Sequence, residues 1–105
     1  MKAPTLKRFW NLQAEWSRKI FGSDEERGPE GPLKHLAKEV QEVLDNKTDL
    51  EEYVDCQFLI FDAARRAGFT FEEFVLGCFA KLEKNKKRAW PKPTSDQPVE
   101  HVREI

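Results

Sequence analysis

The chain has 105 residues, 39% of them apolar and 35% charged, and carries a net charge of −1 at neutral pH. That length allows one small domain with a thin core, which favours self-association to bury its apolar faces. The near-zero charge excludes a global pull toward nucleic acid or a membrane surface, no apolar run reaches the length of a membrane span, and Cys56 and Cys78 lack the C-x-x-C spacing of a zinc ribbon or thioredoxin motif.

Charges break every short apolar stretch after Met1, so no signal peptide is read. A reducing, cytoplasmic setting is expected, with both thiols free and buried inside helices.

The first predicted helix runs from about Thr5 to Phe21. Leu6, Phe9, Trp10, Gln13, Trp16 and Ile20 recur at threes and fours, an apolar stripe with one polar member, and Gly22 stops it. Gly22 to Pro32 has no periodicity and is rich in glycine and proline, so it reads as a loop, either a connector or the rim of a site. Pro32 suits the first turn of a second helix. Its buried face is Leu33, Leu36, Ala37, Val40, Val43 and Leu44, and another face carries His35, Glu39, Glu42 and Asn46.

After a turn over Asp45–Asp49, Thr48 and Glu51 have capping-box spacing and open a third helix, which reaches about Ala67 and ends at Gly68. Phe58, Leu59, Ile60 and Phe61 make it apolar nearly all round, a pattern that places it centrally. Asp62 stands out there. A carboxylate in such surroundings needs a partner: Arg66 four residues on, or a metal or substrate. Thr70 and Glu73 open a fourth helix from Phe71 to about Ala89, with Phe74, Val75, Cys78, Phe79 and Leu82 inward and Lys81, Asn85 and Arg88 along one polar stripe. Pro91 and Pro93 forbid its continuation. The expected architecture is all-α: a four-helix bundle over residues 1–90, oligomeric, followed by an extended, Pro-containing tail over 91–105 that is disordered or docks on a neighbouring subunit.

The chemistry centres on Glu39 and Glu42 in the second helix and Glu52 and Asp55 in the third. Each pair is three residues apart and so lies on one helix face. A short turn makes the two helices antiparallel neighbours, and four carboxylates then converge on one volume. Such a set cannot stay fully ionised alone, and a hard divalent cation, Mg²⁺ or Mn²⁺, resolves the conflict. The run from Lys81 to Lys92 holds six basic residues against the single acid Glu83. A carboxylate cluster with a basic stripe suits a nucleoside triphosphate, whose oxygens are shared between metals and cationic side chains. His35 and His101 are the only histidines, and neither sits in the Glu-x-x-His pattern of a di-iron bundle.

Glu39-x-x-Glu42 followed by Glu52-x-x-Asp55 resembles the EExxE…ExxD metal motif of the MazG-like, all-α NTP pyrophosphohydrolase superfamily, with Lys38 in place of the first acid. Trp16-Ser17, Phe21-Gly22, His35-Leu36, Asp49-Leu50, Asp62, Arg66-Ala67-Gly68, Lys81, Asn85, Arg88 and Trp90-Pro91 are similar to its small dATP/dGTP pyrophosphohydrolase (MazZ-type) branch, common in phages and bacteria, over about residues 12–91. The resemblance implies conversion of a purine (deoxy)nucleoside triphosphate, dGTP or dATP, to monophosphate and pyrophosphate. It also implies two or three Mg²⁺ or Mn²⁺ ions per site and a homodimer or homotetramer, in the cytoplasm of a bacterium or a phage-infected host. On this reading Glu39, Glu42, Glu52 and Asp55 hold metal, and Glu52 and Glu39 are the candidate catalytic carboxylates, Glu52 orienting or deprotonating the attacking water. Lys81 and Arg88 take phosphate oxygens, and Asn85 takes phosphate, sugar or base. Trp16 and Trp90 either stack on the base or pack, His35 contacts phosphate or supports the site from behind, and Asp62 faces metal or substrate or pairs with Arg66. The alternative is a non-enzymatic helical binding module that uses the basic Lys81–Lys92 stripe.

Overall fold

In the computed structural model, which describes residues 3–102, four helices follow one another: α1 (Leu6–Phe21), α2 (Glu30–Asp45), α3 (Leu50–Arg66) and α4 (Phe71–Lys86). The fold is all-α, and no strand occurs among the described residues. None of these helices is long and apolar enough to cross a membrane. The chain divides into two units, Met1–Phe71 and Glu72–Ile105.

The first unit is built on α3, which packs against both α1 and α2. Thr5 caps α1 by accepting from the Arg8 amide at 3.1 Å. Arg18 and Lys19 in its last turn complement the helix dipole. Gly22 follows with φ 106°, ψ 170°, a conformation open to glycine alone, and this turns the chain sharply at the helix end.

The buried stripe of α1 is Trp10, Gln13, Ala14 and Ser17, rotated from the expected one, whereas Leu6, Trp16 and Ile20 are about half exposed. The reason is size. Ala14 and Ser17 are small enough to be fully buried, and the aromatic rings pack at the N-terminal end. There Phe9 stacks on Phe58 (5.3 Å between centroids), and Trp10 packs on Phe61 (4.8 Å) and Phe71 (5.7 Å).

Asp49, not Thr48, caps α3, its carboxylate accepting from the Glu51 amide at 3.0 Å. Its shorter two-residue reach displaces the capping-box geometry expected from Thr48. Gly68, with φ 103°, ends the turn after α3 as expected. α2 begins at Glu30, two residues before Pro32, which still falls in its first turn. No α2 residue is fully buried, and Leu33, Val40 and Leu44 stay about half exposed because the helix packs on α3 along only one side.

In the second unit α4 stops at Lys86, short of the expected Ala89. The tail is not simply extended. The Val102 amide donates to the Ala89 carbonyl, forming an isolated antiparallel bridge, and Trp90 meets His101 edge-on at 5.7 Å. The Trp90 indole N–H donates at 2.7 Å to the Asn85 carbonyl, which also accepts from the Arg88 amide at the helix end. Residues 103–105 of the expected tail lie outside the described residues. Both cysteines are free, but Cys78 is exposed and Cys56 half-buried, contrary to the expected burial.

Candidate functional site

The antiparallel pairing of α2 and α3 brings carboxylates together across the short turn. Glu39, Glu52 and Asp55 each place one carboxylate oxygen so that all lie within 4.8 Å of one another. Glu42, on the same helix face as Glu39 but one turn nearer the connection, stands outside this trio. It is exposed and shares a hydrogen bond with Glu39. His35 Nε2 lies 2.9 Å from Glu39 Oε1, the place of a group that orients a ligand from behind.

Crowding raises the proton affinity of Glu52 and Glu42. The Glu52 carboxyl is pushed up by burial first, then by Asp49, Asp55, Glu39 and Glu51. Glu42 is pushed up by its hydrogen bond to Glu39, then by the charges of Glu39, Glu52 and Asp55. Glu52 Oε2 is buried and has no hydrogen-bond partner among the described residues. Burial and the surrounding acids also raise the Cys56 thiol, which disfavours the reactive thiolate.

A carboxylate whose pKa is raised by folding opposes folding as pH climbs from its ordinary value, about 4, through the raised one. Wild type in EDTA should therefore lose thermal stability relative to Glu52→Gln over that interval, and Mn²⁺ should reverse the order at neutral pH. Melting curves of both proteins across pH, with and without Mn²⁺, check this.

Beside the cluster, and within the first unit, is a cavity of about 570 Å³. Glu39, Asp55 and His35 line one part, and Trp16, Phe21 and Phe58 supply aromatic surface. Trp16 is half exposed and meets Phe21 edge-on at 5.7 Å.

Asp62 also borders the cavity, but both its oxygens are engaged by protein. Oδ1 accepts from the Ser17 hydroxyl (2.7 Å) and the Arg65 guanidinium, and Oδ2 accepts from Arg66 Nε (3.3 Å). Burial alone would raise its pKa. The Ser17 hydroxyl and the Arg65 and Arg66 guanidiniums outweigh that and hold it below the ordinary range. The geometry therefore matches the pairing with Arg66 that the sequence offered for this carboxylate.

Arg66 spends all five of its donors: Nε on Asp62, Nη1 on the Ser23 and Arg27 carbonyls, Nη2 on the Gly22 carbonyl and the Ser17 hydroxyl. Asp24 joins the network through Arg18 (2.9 Å) and Arg65 (3.4 Å). The loop between α1 and α2 is thus pinned to α3, and its residues Arg27 and Gly28 form part of the cavity wall. Arg65, Asp24 and the role of Gln13 were not legible in the sequence. The signal for Gln13 was its place as the one polar member of an apolar stripe.

Lys81, Asn85, Arg88 and Trp90 belong to the second unit. There Arg88 Nη1 lies 3.5 Å from Asn85 Oδ1, and Trp90 is tied to the Asn85 carbonyl.

Residues 9–105 match the family model for dATP/dGTP pyrophosphohydrolase. The chain is 44% identical over 101 residues to the Eaa protein of Salmonella phage P22, a match covering 96% of this chain and 31% of that protein. It therefore spans about a third of the length of this curated relative. Among solved structures, the fold matches that of the cyanophage S-2L MazG-like pyrophosphohydrolase bound to dGDP and three catalytic Mn²⁺ ions per active site. The TM-score is 0.76 at 23% identity, over 96% of this chain and 100% of that one.

Proposed function

The chain belongs to the dATP/dGTP pyrophosphohydrolase family, and from that membership we propose that it cleaves a purine deoxynucleoside triphosphate to the monophosphate and pyrophosphate. The observation that carries this reading is the convergence of Glu39, Glu52 and Asp55 beside a cavity that also presents the aromatic surface of Trp16, Phe21 and Phe58. One part suits a polyphosphate and the other a base.

The donor set fits Mg²⁺ or Mn²⁺. It is all oxygen, it converges, and it leaves Glu52 Oε2 buried without a protein partner. Glu39, Glu52 and Asp55 would hold two or three such ions, with Glu42 at the margin and His35 fixing the Glu39 carboxylate. When bound, the metal supplies charge neutralisation and a Lewis acid for the phosphate oxygens. Glu52 is the candidate to accept a proton from the attacking water, and Glu39 orients beside it. Trp16 stacks on the base. The phosphate-binding role of Lys81, Asn85 and Arg88 is supported by their spacing, Lys81 and Asn85 on α4 and Arg88 just beyond its end, and Trp90 acts as a packing residue for the tail. Asp62 acts as a positioning residue through Arg66 and the loop that Arg66 holds. The half-exposed Leu33, Val40 and Leu44 along one side of α2 support assembly as a homodimer or homotetramer.

A panel of dNTPs and NTPs incubated with Mg²⁺, Mn²⁺ or EDTA tests the reading. The expected result is monophosphate plus pyrophosphate from a purine deoxynucleotide, abolished by EDTA. No turnover with either metal at high enzyme concentration would sink the hydrolase assignment and return the basic binding module as the reading to test.

A further inference from the structure

Gln13 is 6% exposed and lies on the cavity wall. Its Nε2 donates to the Phe58 carbonyl of α3 at 2.7 Å. A carbonyl accepts and does not donate, so this bond fixes which end of the carboxamide is nitrogen. The other end, Oε1, is buried and has no hydrogen-bond partner among the described residues. A buried acceptor left unpaired is costly, and a protein tolerates the cost where a ligand supplies the donor. Trp16, Phe21 and Phe58 line the same cavity and offer surfaces for a planar ring.

We propose that Gln13 Oε1 reads the base of the bound nucleotide by accepting a hydrogen bond from the exocyclic amino group of a purine. The inference rests on the nucleotide reading given above and adds the residue that sets specificity. The chemistry is one-sided. With Nε2 held by Phe58, the group offers an acceptor alone, so it favours a base edge bearing N–H and penalises one presenting only acceptors. Trp16 supplies stacking, which every purine satisfies, and Gln13 supplies the discrimination that stacking lacks.

The test is calorimetric binding to the full chain in Mn²⁺, with nucleoside diphosphates paired by the presence of one amino group. The pairs are dGDP against dIDP, and dADP against the diphosphate of 2′-deoxynebularine, with turnover of the matching triphosphates measured in parallel. For whichever base binds more tightly, wild type should prefer the amino-bearing member by about tenfold or more. Gln13→Met, similar in length and volume, should shrink that preference to about threefold or less by weakening the amino-bearing nucleotide alone. Equal binding of both members by wild type overturns the proposal without need of a variant. A variant that weakens both members equally also overturns it, since it would show Gln13 to be only a latch between α1 and α3. If the amino preference and its loss are seen without any hydrolysis, the base-reading role stands and the reaction assignment falls. If hydrolysis is seen without the preference, the reverse holds. Failure to bind any purine nucleotide removes both.

Discussion

Asp55→Asn should lower turnover by about a thousandfold or more while the helical circular dichroism stays that of wild type. Asp55 is one of three carboxylates whose oxygens meet within 4.8 Å, so losing it removes a third of the tightest donor set. The substitution keeps the side chain's shape and deletes a charge from a crowded acidic cluster. The metal-free variant should therefore melt no lower than wild type, and the rise in melting temperature that wild type gains from Mn²⁺ should shrink or vanish. Two neighbours calibrate the effect. Glu42 lies outside the trio and His35 acts through Glu39, so Glu42→Gln and His35→Ala should each cost about 10- to 100-fold, a grade below Asp55. Steady-state kinetics and Mn²⁺ titrations followed by thermal melts decide the matter. An Asp55→Asn protein that keeps both turnover and its Mn²⁺ response would remove this aspartate from the metal set.

The second large effect is on stability. Arg66→Ala should cost about 3–5 kcal/mol, the range for removing one partner from a buried ionic network. The guanidinium satisfies the Gly22, Ser23 and Arg27 carbonyls, the Ser17 hydroxyl and one Asp62 oxygen, and of the three carbonyls only that of Ser23 keeps other donors, the Glu26 and Arg27 amides. Arg66→Lys should recover only part of the loss, because three ammonium donors at a point cannot fill five positions set in a plane. Equilibrium denaturation measures the stability. The kinetic signature separates this role from catalysis: the loop Arg66 holds supplies Arg27 and Gly28 to the cavity wall, so below its melting point the variant should show a raised KM and a kcat near wild type. A kcat that falls a thousandfold with KM unchanged would instead place Arg66 at the reacting groups.

The sequence alone determined the helices and the acidic motif, because both depend on short spacings. Apolar residues at three and four, glycines at positions 22 and 68 and prolines at 91 and 93 set where the four helices begin and end, within a few residues. Glu39-x-x-Glu42 and Glu52-x-x-Asp55 across a short turn sufficed to anticipate carboxylates meeting between α2 and α3. Even there a local signal misled once, when Asp49 took the cap that Thr48 was expected to provide.

What only the tertiary structure decided were contacts between residues more than forty positions apart, where periodicity carries no information. The side of α1 that meets α3 carries Trp10, Gln13, Ala14 and Ser17 rather than the whole apolar stripe, which leaves Trp16 half exposed at the cavity and buries Gln13 in its wall. Asp62 offered the sequence two fates, a ligand or a structural partner. Ser17, brought in from α1, joins the sequence neighbours Arg65 and Arg66 in donating to it, and the three engage both oxygens, as the cost of burying an unpaired charge requires.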